Sequence, residues 1–285
     1  AKPEVVFETP ISAVIDAHDA MGQLVSHQAM EMAIANTTKR GDNVLIVSNG
    51  FFGDRFIEIC ERKGLNVDVL NAEWGKTVSP EEIDAKLAEK DYAAITVSHV
   101  DTSTAVVAPI AAIGEVVAKY PNTMYIVDGV AATAGEFADV DGMHIDVMFT
   151  GSQKAFGVCS GMFVLWASKA ALQRRKDLGM IPEYFVDFEK WIPIMENPAK
   201  YFATPAVNLV WAMAEATKII EEEGLQARAD RHRKNADAIA KALEAKGNKN
   251  LVLDVTGKTA KETLANAVNV RRTALKQEDR TFGYP

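Results

Sequence analysis

Six short apolar runs, spaced by stretches of helical periodicity, constrain the fold of this chain more than any other feature. NVLIVS (43–48), NVDVL (66–70), AAITVS (93–98), MYIVD (124–128), IDVMFT (145–150) and GMFVLW (161–166) are too short for buried helices. Most are apolar without alternation, which predicts strands covered on both faces. Between them, FGDRFIEICERKG (52–64), SPEEIDAKLAEK (79–90) and IAAIGEVVAKY (110–120) carry helical patterns. Ser79 and Glu82 form a capping-box signature, and Gly64 suits the position just past a helix end. Strand alternating with helix predicts an α/β fold with a mostly parallel sheet sandwiched by helices.

From Pro205 onward the pattern changes to two long helical stretches, VNLVWAMAEATKIIEEEG and LQARADRHRKNADAIAKALEAKG. A division follows into a large α/β domain, residues 1–205, and a linker helix with a smaller C-terminal α+β domain, residues 206–285. After Gly247 only NLVLDV reads as a strand. With 285 residues and 48% hydrophobic side chains, the chain can bury a core of this size. A net charge of −8 without a run of Lys and Arg argues against nucleic acid and against an anionic membrane as the main partner. The opening AKPEVVFETP has neither a basic start nor an apolar run, so the expected compartment is the cytoplasm. Cys60 and Cys159, the two cysteines, are expected as small packing residues rather than a disulfide. His18, His27, His144 and His232 show no metal-ligand spacing, and His232 is expected to face solvent.

In an open α/β sheet the ligand lies outside the carboxyl ends of the strands, so the residues just after each strand are the ones that matter. They are Asn49-Gly50-Phe51-Phe52-Gly53, then His99-Val100-Asp101-Thr102-Ser103-Thr104, then Asp128-Gly129-Val130, then Gly151-Ser152-Gln153-Lys154. An aromatic pair, a hydroxyl cluster, a carboxylate and a lysine are therefore expected to converge. Taken singly each has a plain structural reading: a solvated lysine, a turn aspartate, a core phenylalanine, a polar turn. His99 reads equally as a structural hydrogen-bonding group or as a catalyst.

In this order the set resembles the fold-type I pyridoxal-phosphate enzymes, specifically the class V aminotransferases of the alanine–glyoxylate and serine–pyruvate kind. The resemblance runs from about Pro10 to Gly247. His99 to Thr104 matches the family's His-x-Glu-Thr/Ser-Ser-Thr, Asp128-Gly129-Val130 its Asp-x-Val, and Gly151 to Lys154 its Gly-Ser-Gln-Lys. Tyr201-Phe202-Ala203-Thr204-Pro205 matches its Tyr-x-x-Thr-Pro stretch. The resemblance implies pyridoxal 5′-phosphate as cofactor, joined as an imine to Lys154, whose amine then moves the substrate proton. It implies Asp128 at the pyridine nitrogen, Val130 on one ring face and Phe52 stacked on the other, with Thr102 near the phenolic oxygen and Gln153 at the phosphate. Tyr201 and Thr204 would reach the phosphate of a neighbouring subunit, which implies a homodimer. The implied reaction moves an amino group from a small amino acid, alanine or serine, to glyoxylate or pyruvate by a ping-pong mechanism.

Three features depart from the family pattern. Its phosphate turn opens a helix, whereas here the corresponding helix, QAMEMAIANTTKRG, directly follows MGQLVSH. Either a segment is missing after His27, or Ser26 and His27 stand in for the turn. The family's substrate-carboxylate arginine motif does not occur after Gly247, where Arg271 and Arg272 lie in an unmatched context. Cys159-Ser160-Gly161 replaces the usual Pro-Pro-Gly. The alternatives on the same scaffold are a cysteine desulfurase or selenocysteine lyase, a 2-aminoethylphosphonate transaminase, and a binding protein without catalysis. Gln153 stands where the desulfurases place a histidine.

Overall fold

The buried apolar runs become the centre of one sheet. In the computed structural model, residues 4–8 and 18–244 are described, with side chains for residues 27–242. In chain order the elements are β1 (Glu4–Glu8), α1 (His18–Thr37), β2 (Asn43–Ser48), α2 (Phe51–Lys63), β3 (Asn66–Asn71), α3 (Pro80–Leu87) and β4 (Ala94–Ser98). A small hairpin, β5 (Val100–Asp101) with β6 (Val106–Val107), precedes α4 (Ile110–Val117), β7 (Met124–Asp128), β8 (Val147–Gly151) and β9 (Phe163–Ala167). Helices α5 (Lys169–Asp177), α6 (Phe188–Glu196), α7 (Val207–Glu223) and α8 (Leu225–Glu244) complete the described chain.

The sheet runs β1-β9-β8-β7-β4-β2-β3. From β8 to β3 every pair is parallel, while β9 and β1 join antiparallel at one end. Alternate residues of the same strands feed two cores, as a period of two requires. Val44, Ile46, Ile126 and Phe149 pack on one face with α1 and Phe56; Leu45, Val47, Ile95, Tyr125 and Val127 pack on the other with Ile83 and Ile113. A capping box at Ser79 and Glu82 starts α3, and Gly64 ends α2 in the left-handed region at φ 79°.

Several expectations are corrected. β8 begins at Val147, because the Asp146 carboxylate turns aside to accept from the Tyr125 N–H (2.9 Å) and the Ser168 hydroxyl (2.7 Å). β9 begins at Phe163, after Met162 has accepted a hydrogen bond from Ser152 N. Ser26 and His27 do not form a turn that opens a helix, since α1 is continuous from His18 to Thr37. Cys60 packs in the core, where burial pushes its thiol up to about 12, but Cys159 is exposed. His232 is half-buried rather than solvent-facing, and burial lowers its pKa. The candidate strand NLVLDV, Arg271 and Arg272 lie outside the described residues.

The chain divides into two compact units, residues 1–133 with 138–217, and residues 134–137 with 218–285. Within the second, Glu223 accepts from Arg228 and Arg231, which holds its carboxyl down at about 2, and Arg228 Nε donates to the Ala134 carbonyl at 2.8 Å.

In the first unit a buried ion pair ties α5 to α6. Arg175, 2% exposed, donates from Nε and one terminal nitrogen to both oxygens of Asp187 (2.8 and 2.7 Å) and from the other to Gly179 O (2.6 Å). Asp187 in turn caps α6 by accepting from Glu189 N at 2.9 Å. Arg175→Ala would leave that carboxylate buried without its cation. It is expected to lower unfolding free energy by about 3–5 kcal/mol, read from urea denaturation.

Candidate active site

After β2 the chain crosses outward to β3, then returns past β2 to β4 and continues to β7 and β8, so strand order reverses between β2 and β4. A ligand crevice is expected outside the carboxyl ends of strands at such a point. The two loops that meet there are held by one carboxylate. Fully buried Asp101 accepts from Phe52 N (3.0 Å) and Gly53 N (3.4 Å) through Oδ2, and from Ser103 N (2.9 Å) and Ser103 Oγ (2.6 Å) through Oδ1. Ser103 Oγ also accepts from Phe51 N at 3.0 Å, and Thr104 Oγ1 donates to Asn49 O at 2.8 Å. The fit requires glycine at position 50, because a Cβ there would lie 2.6 Å from Ser103 Oγ and 2.8 Å from Asp101 Cγ.

One strand further on, Asp128 ends β7, 5% exposed, with Oδ1 accepting from Val130 N at 2.9 Å. Burial pushes its carboxyl up to about 6. The Val130 N–H pulls the other way, the Asp101 charge adds to the rise, and the Lys154 ammonium lowers it. Ser98, register partner of Asp128 on β4, also favours the ionised form, from close by but without completing a hydrogen bond of good geometry. Between Asp128 and Val130 the backbone passes so near β8 that a Cβ at Gly129 would lie 3.1 Å from Phe149 O. Lys154 follows β8 in a turn closed by Gly157 N on Lys154 O (2.9 Å), while Ser152 N and Oγ donate to Met162 O and Cys159 O (2.9 and 2.7 Å). The backbone of this turn is tied, and the Lys154 side chain is exposed.

Asp128, Val130 and Lys154 thus come together at the carboxyl ends of β7 and β8. Phe52, in the first turn of α2, and Thr102, in the β5–β6 turn, lie on the two segments that Asp101 joins; Phe52 is half-buried, edge-on to Phe51 with ring centres 5.3 Å apart, and Thr102 is exposed. Gln153 is half-buried against Gly151. Tyr201 and Thr204 are exposed in the segment after Lys200, and no described hydrogen bond brings them to Asp128 or Lys154. Burial drives the His99 imidazole down to about 4, which keeps it neutral at pH 7. Its Nδ1 and both polar atoms of the Asn49 side chain are buried without partners among the described residues. Sequence reasoning passed over Asp101 and Asn49. The usable signal for Asp101 was its acidic side chain inside the His99–Thr104 motif; Asn49 had none beyond its place after a strand.

An amine and a buried carboxylate at the carboxyl ends of β7 and β8 place this chain among the α/β proteins that present polar groups at the rim of a mostly parallel sheet. Among proteins of that class, the chain matches the family described as aminotransferase class-V over residues 25–280, and it belongs to that family. It is 40% identical over 205 residues to alanine–glyoxylate aminotransferase 1 of Saccharomyces cerevisiae, a match covering 68% of this chain and 53% of that one. To an uncharacterized aminotransferase of Methanocaldococcus jannaschii it is 37% identical over 220 residues, covering 77% and 57%. The solved ureidoglycine–glyoxylate aminotransferase of Bacillus subtilis superimposes with a TM-score of 0.75 at 30% identity, over 79% of this chain and 58% of that one. The chain therefore spans about half the length of the curated relatives it matches.

Family members use pyridoxal phosphate. The residues here fit its ring end: a buried carboxylate suited to a ring cation, an amine within electrostatic reach of it, and a partnerless buried Nδ1 on His99, whose backbone N–H donates to Asp128 O at 2.9 Å. The phosphate end differs. α1 runs straight through residues 26–28, so their N–H groups lie inside a helix, and the first turn of α2 already holds the Asp101 carboxylate.

Proposed function

We propose that this chain acts as a pyridoxal-phosphate-dependent transaminase, moving an amino group from a small amino acid such as alanine or serine to a small 2-oxo acid such as glyoxylate or pyruvate. One observation carries the reading: Lys154 and Asp128 share a rim, close enough for the ammonium to stabilise the carboxylate. When bound, the cofactor supplies an electron sink for the substrate carbanion. Lys154 Nζ serves as the covalent anchor and as the group that moves a proton at the substrate carbon. Asp128, ionised against a ring cation, holds that cation protonated. Val130 and Phe52 would confine the ring, Thr102 would donate near its phenolic oxygen and Gln153 to the phosphate. The names of the relatives support glyoxylate as acceptor. A homodimer is part of the proposal, with exposed Tyr201 and Thr204 presented to the second subunit.

The 285-residue chain incubated with pyridoxal phosphate should gain a visible absorption band. Borohydride should then fix the cofactor to Lys154, located by peptide mass. Alanine or serine should bleach the band and yield the oxo acid, and added glyoxylate should be returned as glycine. Sulfide released from cysteine would move the chain to the desulfurase reading. The continuity of α1 where the family has its phosphate turn favours a second reading, a binding protein on the same scaffold. A protein that stays colourless with the cofactor and forms no borohydride adduct would favour that one.

A further inference from the structure

The geometry points to Asp101 as a positioning residue, the single carboxylate that sets where Phe52 and Thr102 stand at the crevice. The inference deepens the transaminase reading and rests on it. Asp101 touches neither Lys154 nor the reacting atoms; it acts through backbone. Its two oxygens take three N–H groups and one hydroxyl from the first turn of α2 and the β5–β6 turn, with Phe52 itself one of the donors and Thr102 the next residue along the chain.

The N-terminus of α2 has no side-chain cap of its own, since Gly50 supplies no side chain. Asp101, 49 residues away in sequence from Phe52, fills that place and complements the positive end of the helix. The first turn of α2, which carries Phe52, is thereby fastened to the turn carrying Thr102, and Thr104 adds a second tie through Asn49 O. At Gly50 even an added Cβ would collide with both Asp101 and Ser103, so the two segments pass each other closely. Charge matters as well as shape. Both oxygens accept, so an amide in the same place would set its NH2 against either the Phe52 and Gly53 donors or the Ser103 donors.

The test compares Asp101→Asn and Ser103→Ala with the unaltered chain, with pyridoxal phosphate as the probe. Amide hydrogen exchange in the cofactor-free proteins comes first, because it reads the clamp without any chemistry. Protection at Phe52, Gly53 and Ser103 should fall at least tenfold in Asp101→Asn and by less in Ser103→Ala. Next, cofactor affinity should weaken about tenfold in Asp101→Asn, the size of one lost charge-assisted bond. Its visible band should shift and kcat should fall more than KM rises, which a uniformly loosened fold would not produce. Unchanged protection at the three amides would overturn the clamp. Lost protection with unaltered cofactor affinity and spectrum would overturn the positioning role and leave a purely structural cap. Should Asp101→Asn fail to fold, Ser103→Ala decides by the same two readouts. Failure of the unaltered chain to take up pyridoxal phosphate would sink the transaminase reading and the positioning role with it, while the exchange data still judged the clamp alone.

Discussion

Lys154→Ala is expected to abolish the borohydride adduct and to lower the transamination rate by about 10^4-fold or more, as removal of a covalent anchor that is also the proton carrier does elsewhere. Fold and stability should change little. The side chain is exposed, and the turn around it is held by backbone bonds that alanine preserves: Gly157 N to the carbonyl of residue 154, Val158 N to Ser152 O, and Ser152 N to Met162 O. The expected pattern is therefore a near-normal melting temperature with no covalently retained cofactor. Lys154→Arg sharpens the point, because it keeps the cation beside Asp128 and removes the nucleophilic amine. If charge alone mattered at this position, arginine would restore turnover; the proposal requires that it does not. Rates within tenfold of the unaltered chain for either variant, measured with alanine and glyoxylate, would remove Lys154 from the chemistry.

What could be read from the sequence divides by how far each signal reaches along the chain. Ser79 and Glu82 announce a helix start because both bonds of the capping box close within four residues, and Gly64 announces a helix end for the same reason. Strands β2, β4 and β7 were legible because burial on both faces leaves a continuous apolar run. The geometric rule that loops at the carboxyl ends of parallel strands meet put Lys154 and Asp128 among several candidates, and the resemblance to the family gave them their roles. Non-local pairings stayed hidden. Asp101 looks like an ordinary turn aspartate until β4 lies beside β2 and the first turn of α2 comes within reach. In α5, KAALQRRKD has little amphipathic pattern, because its deeply buried Arg175 is made tolerable by Asp187, a residue of the following segment. Asp146 shortened β8 for a similar reason, through partners on β7 and just before α5.

Asp128→Asn is expected to act in opposite directions on stability and on function. The carboxyl has an ordinary value of 3.8 and is raised to about 6 in the fold, mainly by burial. A group raised in this way favours the folded state fully below the ordinary value, and the benefit is lost as pH climbs through the folded value. Cofactor-free protein should therefore lose about 2–3 kcal/mol from this site between about pH 4 and pH 6, at 1.36 kcal/mol per pKa unit. Asparagine keeps the acceptor for Val130 N and carries no charge, so that loss disappears. The variant should melt like the unaltered chain at pH 4 and higher than it at pH 7. A ring cation placed against the carboxylate reverses the preference, since the ionised form then has a buried partner. Added pyridoxal phosphate should consequently raise the melting temperature of the unaltered chain at pH 7 more than that of Asp128→Asn, and the variant's turnover should fall about 10^2- to 10^3-fold, the size of one removed electrostatic stabiliser. Melting curves at the two pH values, with and without cofactor, give four numbers that must fit together. A variant less stable than the unaltered chain at pH 7 without cofactor would mean that charges within the protein, Lys154 among them, already outweigh the burial of Asp128, and its assignment to the ring nitrogen would fail.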